Sequence, residues 1–231
     1  MTVSNERGHS QMVSFGIFKP EEGCDIDDAV AHMSTVASLL EKTHNLNVAI
    51  LRSLDFSWAA VFAAYKDGSQ NEDKSTLNLP EAAAFTRGLK CAVRIVDSGW
   101  FRLTSQQTVK GAPFAELLLG DIVSIRRIYC SWKIQDILSY SCLAILRSYF
   151  NSFKGMISAS FFDSLDGKQI IGFEVWDKVE SALAVEKNPQ RNPALAYWKD
   201  VGAKEVKYHV CQVVYVTYSR LSQNAIVGFR I

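Results

Sequence analysis

Several motifs that identify common protein classes are missing from this chain of 231 residues. No two of its five cysteines are spaced C-x-x-C, so neither a disulfide framework nor a structural zinc site is expected, and we interpret the cysteines as buried, reduced thiols. No basic run exceeds the pair Arg126-Arg127, and the formal net charge is +1. We therefore expect neither nucleic acid nor an anionic membrane surface as a partner.

Sequences for nucleotide binding, hydrolysis and membrane insertion are missing as well. The chain contains no G-x-G-x-x-G, no P-loop and no G-x-S-x-G, so nucleotide cofactors and serine-hydrolase chemistry have no support. The histidines show no H-x-x-x-H spacing, and no metal site is expected. Residues 1–11 lack the apolar core of a signal peptide, and no segment is apolar over the length of a spanning helix. These absences predict a soluble, cytoplasmic protein.

What is present is the composition of an ordinary globular protein. Apolar residues make up 48% of the chain, charged residues 21% and aromatic residues 11%. At this length, that apolar content is enough for one large core or two small ones.

The strongest local signal is a turn followed by a strand over Ser164–Trp176. Asp166-Gly167 is typical of a hairpin, because glycine adopts positive φ at little cost and aspartate tolerates it. After the turn, two sets of side chains alternate with the period of a strand that has two different faces. One set is Ile171, Phe173 and Val175, and the other is Gly172, Glu174 and Trp176.

A weaker copy of the same stretch occurs earlier in the chain. At an offset of 111 residues, Ser53-Leu54-Asp55 falls on Ser164-Leu165-Asp166, and Tyr65 falls on Trp176 without a gap. Agreement over this span indicates an internal repeat. We therefore predict two copies of a unit of about a hundred residues, which is within the usual range for a domain.

Periodicity and turn residues place similar elements in each copy. The predicted strands span 12–18, 46–51, 58–65, 91–103, 122–129, 157–162, 169–176 and 206–217, and the predicted helices span 25–42, 81–87, 133–153, 177–185 and 194–201.

This order makes each copy a ferredoxin-like β-α-β-β-α-β unit, so the predicted fold class is α+β. The units span residues 11–105 and 119–218, with a linker at 106–118 and a C-terminal tail at 219–231. Helices would cover one face of each sheet, and the other two faces would pack as an intramolecular dimeric α/β-barrel that encloses a shared cavity. Because the repeat supplies its own partner sheet, a monomer would suffice, with a homodimer as the alternative.

The stretches Ser160–Gly167 and Ile170–Trp176 resemble the signature of the antibiotic biosynthesis monooxygenase family, in which S-x-D-G is followed by N-Y-x-x-W. The resemblance covers about residues 120–217 directly, and 11–104 only through the repeat. It implies a dimeric α/β-barrel. Known members include cofactor-independent oxygenases of aromatic polyketides and haem-degrading enzymes, so the resemblance implies the reaction only weakly.

The sequence departs from that family's pattern at two places. The family's asparagine falls on Gly172, which has no side chain to orient a substrate or oxygen. The haem-degrading branch has a histidine after the tryptophan, but Asp177–Asn192 contains none, so haem degradation is ranked low. In the first copy, Val61 and Tyr65 stand at the positions of Gly172 and Trp176. The first copy therefore resembles a half that only lines the cavity rather than a second active site.

Three residues are the candidate catalytic groups. Because we expect the helix layer to need the aliphatic set, Glu174 and Trp176 are predicted to face the cavity between the sheets. There, Glu174 could act as a general acid or base, or it could pair with Arg126 or Arg127 or lie at a wet rim. His209 is a second acid/base candidate or an ordinary core or surface histidine. Trp176 either lines the cavity and stacks against the substrate or is an ordinary core residue.

Further residues are predicted to line a substrate site. These are Phe162, Gly172, Tyr215, Tyr65, Trp100 and Arg102.

Together, these observations predict an enzyme of secondary metabolism that acts on an aromatic or polyketide-like small molecule without a metal or organic cofactor. Oxygenation of an electron-rich phenol or anthrone is the first hypothesis. The alternatives are a non-oxidative cyclase, isomerase or dehydratase that uses the same cavity, and a non-catalytic ligand-binding protein.

Overall fold

The computed structural model describes residues 12–44, 46–65, 82–88, 92–109, 116–187, 193–217 and 229–230. This part contains eight long strands, two short strands and four α-helices. The long strands are β1 (Met12–Pro20), β2 (Leu46–Ser53), β3 (Ala59–Tyr65), β4 (Val93–Thr108), β6 (Ile122–Tyr129), β7 (Met156–Ser164), β8 (Gln169–Trp176) and β9 (Glu205–Val216). The short strands are β5 (Glu116–Leu117) and β10 (Phe229–Arg230), and the helices are α1 (Ile26–His44), α2 (Gln135–Tyr149), α3 (Val179–Lys187) and α4 (Pro193–Val201).

The eight long strands close into one antiparallel barrel. Around the barrel their order is β1-β3-β2-β9-β6-β8-β7-β4, and β4 pairs back with β1. The first half of the chain therefore contributes the run β4-β1-β3-β2, and the second half contributes β9-β6-β8-β7 in the same relative order. The halves join at two seams, where β2 pairs with β9 and β4 pairs with β7. This closed barrel, together with the helices, confirms the predicted fold class of mixed α and β structure.

The turns after β2 and β7 have the same hydrogen bonds. The hydroxyl of Ser53 accepts hydrogen bonds from the backbone N–H groups four and five residues later, at 3.0 and 3.1 Å. The hydroxyl of Ser164 accepts the equivalent pair at 3.1 and 2.9 Å. Gly167 has φ 76° in the second turn, and Phe56, at the corresponding position, has φ 59°. The turn predicted from the sequence around Asp166-Gly167 is therefore present.

Apolar side chains fill the interior of the barrel. Phe62 and Phe173 lie with their ring centroids 4.7 Å apart, and other rings pack around them. The five phenylalanines of this core are Phe15, Phe62, Phe101, Phe162 and Phe173. The prediction of a shared cavity between the sheets is wrong for this described core, because its rings and aliphatic side chains pack against one another, and side chains alone can fill an eight-stranded barrel.

The two faces of β8 are also the reverse of the prediction. Phe173 and its aliphatic neighbours belong to the barrel core, whereas Trp176 belongs to a second cluster that contains residues of α2, α3 and α4. Glu174 and Gly172 share the face of Trp176, since side chains alternate along a strand. Large apolar groups are needed to fill the barrel, and Glu174 can be buried under the helices because Arg126 on the adjacent strand pairs with it.

Most predicted strands coincide with observed ones, but β4 is longer than expected. It was predicted to end at residue 103, yet it passes a bulge between Leu103 and Ser105 and continues pairing with β7 to Thr108. It therefore overlaps the proposed linker at 106–118. The predicted helix at 81–87 is a short 3-10 turn, Ala82–Thr86. The domain boundaries themselves stay predictions.

The described cysteines are of two kinds. Cys130, Cys142 and Cys211 are buried free thiols, as predicted. The prediction of a reduced thiol is wrong for Cys24, which is disulfide-bonded. Within the described residues, no helix combines the length and apolar character required to cross a bilayer. The cytoplasmic location stays a prediction.

Candidate functional site

A small cavity lies between the sheet of the second half and the helices that cover it. Its volume is about 20 Å³, which is room for about one water-sized molecule. Most of its wall is apolar, and two charged side chains, Arg126 of β6 and Glu174 of β8, complete it. The apolar part of the wall includes Leu146, Phe150, Met156, Ala159, Phe161 and Trp198.

Arg126 and Glu174 form an ion pair that is almost completely removed from solvent. Arg126 Nη2 lies 2.9 Å from Glu174 Oε1 and donates a hydrogen bond to Oε2 at 3.3 Å. Their side chains are 4% and 5% exposed. Of the two arginines predicted as partners of Glu174, it is Arg126 that binds it. Because a buried charge is costly without a partner, each residue depends on the other.

A directional chain of hydrogen bonds fixes the same carboxylate. The indole Nε1–H of Trp176 donates to Ser124 Oγ at 2.8 Å, and Ser124 Oγ donates to Glu174 Oε2 at 2.6 Å. An indole can only donate, so the proton of the Ser124 hydroxyl must point to the carboxylate. Trp176 is therefore a buried residue of the cluster under the helices that orients the Ser124 hydroxyl, and it is not among the residues that line the cavity.

Aromatic rings surround the guanidinium of Arg126. Its Cζ lies 5.1 Å from the ring centroid of Trp198 on α4 and 5.2 Å from that of Tyr208 on β9. Cation–π contacts of this kind strengthen when water is excluded. Three elements of the second half therefore position the Arg126 side chain: α4 and β9 through these rings, and β8 through Glu174.

Gly172 is the position where the family resemblance places an asparagine. A Cβ built on Gly172 would come within 2.7 Å of the Phe161 ring and 3.4 Å of Arg126 Cβ. The space that a side chain at this position would need is therefore filled by Phe161, which also lines the cavity. The glycine is required here by close packing of that ring.

His209 does not join this group. Its strand partner is Ile125 of the barrel core, so it lies on the opposite face of the sheet from Glu174. Burial, followed by the charges of Arg127 and Lys207, lowers the pKa of His209 to about 4. Its ring packs edge-on against Trp58 at 5.2 Å, and its buried Nε2 has no hydrogen-bond partner among the described residues. The structure therefore separates the two predicted acid/base groups.

The other predicted substrate-binding residues lie away from the cavity. Phe162 is in the barrel core. Trp100 and Tyr215 pack in the cluster under α1 in the first half, and Arg102 is exposed. Tyr65 ends β3, and its side chain lies outside the described residues.

Arg127 serves a different polar cluster, which joins the two halves of the chain. Its Nη1 donates to Asp97 Oδ2 at 2.8 Å, and the same oxygen accepts hydrogen bonds from Tyr129 and Gln169, each at 2.8 Å. Burial is the main cause that raises the pKa of Tyr129, and Asp97 adds to it. Asp97 is on β4 and its three donors are on β6 and β8, so the cluster links the two halves of the barrel.

Sequence reasoning did not identify Ser124, Phe161, Trp198 and Tyr208 as parts of the site. A signal for Ser124 was present, because polar residues alternate with Val123 and Ile125 on β6 in the pattern of a two-faced strand. Trp198 and Tyr208 could not be located, because their approach to Arg126 depends on how α4 and β9 pack in three dimensions.

Comparisons with known proteins identify the fold. A family described as a domain of unknown function, DUF7392, matches residues 99–211, which is slightly less than half of the chain. No curated protein matches the chain.

Solved structures match almost the whole length. An anthrone oxidase-like protein has a TM-score of 0.64 at 12% identity, over 94% of this chain and 97% of its own. A protein of Fusobacterium nucleatum, provisionally named a monooxygenase, has a TM-score of 0.59 at 12% identity, over 97% and 99%. A major regulator of staphylococcal pathogenesis has a TM-score of 0.52 at 9% identity, over 87% and 99%. At such identities the likeness shows the barrel fold alone.

Proposed function

We propose that this protein is a monooxygenase that oxidises an electron-rich aromatic small molecule without a metal or organic cofactor. The observation that carries the proposal is the buried Arg126–Glu174 pair in the apolar wall of the cavity between sheet and helices. Apolar sites with a few convergent polar groups are the usual form of small-molecule sites. The fold shared with an anthrone oxidase-like protein supports the same reaction class.

The charged pair would supply proton transfer and anion stabilisation. Glu174 would take a proton from an activated CH₂ group of the substrate, and Arg126 would stabilise the carbanion that forms. The carbanion reduces O₂ and combines with it to a peroxide, which is protonated to a hydroperoxide. Loss of water then leaves a carbonyl group, so one oxygen atom ends in the product and the other in water.

An aromatic substrate would have to widen the cavity. Small-molecule sites usually measure about 300 to 1,000 Å³, whereas this cavity measures about 20 Å³. Phe150, in the 3-10 turn that follows α2, and Phe153 form one end of the wall. We propose that these two rings move outward when the substrate binds.

We also propose that the chain is a tandem pair of ferredoxin-like units of which only the second is active. The strand registers set Gly16 and Ala63 of the first half in the places of Arg126 and Glu174. Neither of these two residues carries a charge, and Ala63 packs in the hydrophobic cluster under α1. One chain would then hold one site, and a monomer would be the active form.

Oxygen consumption with an anthrone-type substrate tests the proposal. We expect uptake by the wild type under air and a large loss in Glu174→Gln, because the amide cannot accept the substrate proton. His209→Gln serves as the matched control, since His209 lies on the other face of the sheet. Uptake no greater than that of the buffer, or equal uptake in wild type and Glu174→Gln, would contradict the proposal.

A specific observation favours a non-oxidative role as the second candidate. Both oxygens of Glu174 already have polar partners: Oε2 accepts hydrogen bonds from Ser124 and Arg126, and Oε1 forms the ion pair with Arg126. This arrangement holds a carboxylate in place for proton shuttling or for ligand binding alone. Product formation under strict anaerobiosis would identify a cyclase or isomerase. Ligand binding without any turnover, in air or without it, would identify a binding protein.

A further inference from the structure

The cavity beside Arg126 and Glu174 is too small for an aromatic ring but large enough for a diatomic gas. We propose that it is a preformed binding site for dioxygen. The inference rests on the proposed oxygenase function and adds to it the place where the second substrate is held.

The wall of the cavity favours an apolar occupant over water. A buried water needs about two to four polar partners. Here the polar wall consists of Arg126 and Glu174, which bind each other, and Ser124 occupies a further acceptor position of Glu174. The remaining lining side chains are apolar apart from the indole nitrogen of Trp198, whose buried Nε1–H has no hydrogen-bond partner among the described residues. One such donor is fewer than the two to four polar partners that a buried water needs, and mainly apolar cavities in proteins take up apolar molecules such as xenon.

Ala159 of β7 is the smallest of the residues that line the cavity. At the offset of 111 residues the first half has Val48. Val48 is fully buried in the apolar cluster under α1. The smaller side chain therefore occurs in the half that carries the Arg126–Glu174 pair, which places the opening next to the charged groups of the proposed reaction.

This position suits the chemistry proposed above. Oxygen held in the cavity would lie against the wall that contains the guanidinium of Arg126. As the substrate carbanion reduces O₂, negative charge develops on oxygen, and a fixed positive group stabilises it.

Methyl NMR under oxygen pressure tests the site directly, because paramagnetic O₂ speeds the relaxation of nearby methyl groups. We expect the methyls of Leu146, Met156 and Ala159 to relax several-fold faster under O₂ than under an equal pressure of N₂. Methyls of the packed barrel core, such as Ile125, and of Val48 in the first half are the internal controls. In Ala159→Val the added methyls fill the cavity, and the effect at Leu146 and Met156 should fall to the level of the controls.

A second variant controls for the possibility that Ala159→Val loses the effect because it is misfolded. Ala159→Gly enlarges the cavity and should keep or increase the effect at Leu146 and Met156. Equal relaxation of cavity and control methyls in the wild type, or an effect unchanged in Ala159→Val, would overturn the inference. Enhanced relaxation without oxygen consumption would count against the proposed function alone, and consumption without enhanced relaxation would count against this site alone.

Discussion

At the residue scale, the candidate site depends on one buried ion pair in which each charge needs the other. Arg126 and Glu174 are each almost fully buried, and a buried charge without a partner is costly. The surrounding rings and the Ser124 hydroxyl position the pair but do not replace either charge. Stability and the proposed chemistry therefore depend on the same two residues.

Removing one member of the pair should destabilise the fold more than removing both. We expect Arg126→Met to lower the free energy of unfolding by about 3–5 kcal/mol, because Glu174 is left buried and unpaired. The double variant Arg126→Met/Glu174→Met should recover much of that loss, since matched apolar groups can replace a buried pair. Denaturant unfolding measures all three proteins. The exposed pair Lys207–Glu205 is the control, and Lys207→Met should change stability by about 1 kcal/mol or less.

The conformation of Phe56 gives a second prediction at this scale. Its φ of 59° is in the left-handed region, which costs a residue with a Cβ about 1–2 kcal/mol. Both Phe56→Gly and Phe56→Ala lose the contact of the ring with Arg52, so their difference isolates the backbone effect. We expect the glycine variant to be more stable than the alanine variant by about 1 kcal/mol.

Thermal unfolding of the two Phe56 variants checks this expectation. Greater stability of Phe56→Ala would show that the turn relaxes when the ring is removed. Gly167→Ala in the second turn is the companion test and should be strongly destabilising, since its Cβ would also come within 2.8 Å of Trp132 Cβ.

At the element scale, sequence periodicity predicted where the strands are but not which way they face. Alternation along β8 separated Phe173 from Glu174 correctly, yet alternation is symmetric and does not say which set points into the barrel. Both faces of β8 are buried, so hydrophobicity could not decide either. The deciding factor is the partner strand: Arg126 on β6 lies on the helix side and holds Glu174 there.

Two strands of the second half carry titratable groups with opposite effects on stability. Burial raises the pKa of Asp163 on β7 from 3.8 to about 6, so folding becomes less favourable as pH rises from about 4 to about 6. His209 on β9 has its pKa lowered from 6.5 to about 4, so folding becomes less favourable as pH falls from about 6.5 to about 4. The two contributions oppose each other across the same interval.

Melting temperatures of one Asp163 variant and one His209 variant, measured from pH 4 to 8, separate these two contributions to stability. Asp163→Asn should stabilise the protein above about pH 6 and have little effect near pH 4. His209→Gln should reduce the loss of stability on acidification between pH 6.5 and 4. An Asp163→Asn curve parallel to that of the wild type over the whole range would show that Asp163 titrates normally.

At the scale of the whole molecule, the barrel joins both halves of the chain into one core. Phe173 of the second half lies 6.0 Å from Phe15 and 4.7 Å from Phe62 of the first, measured between ring centroids. The two similar turns at Ser53 and Ser164 could be predicted from the sequence, because each uses the same Ser-Leu-Asp residues. The packed interior was not readable, since it depends on how five phenylalanine rings fit together across the two seams.

A shared core predicts one unfolding transition for the whole barrel. Phe173→Ala should lower the free energy of unfolding by about 3–5 kcal/mol and shift the transition as a unit. Trp fluorescence and far-UV circular dichroism, measured along one denaturant titration, should give coincident curves for wild type and variant. Two separate transitions would show that the halves fold independently.

The central claim is that the functional site lies between the sheet and the helices of the second half and not inside the barrel. The most direct measurement is a crystal structure of the protein with a bound anthrone-type ligand. We expect the ligand against Arg126, Glu174 and Trp198, with Phe150 and Phe153 moved outward. A ligand inside the barrel or against His209 and Trp58 would contradict it.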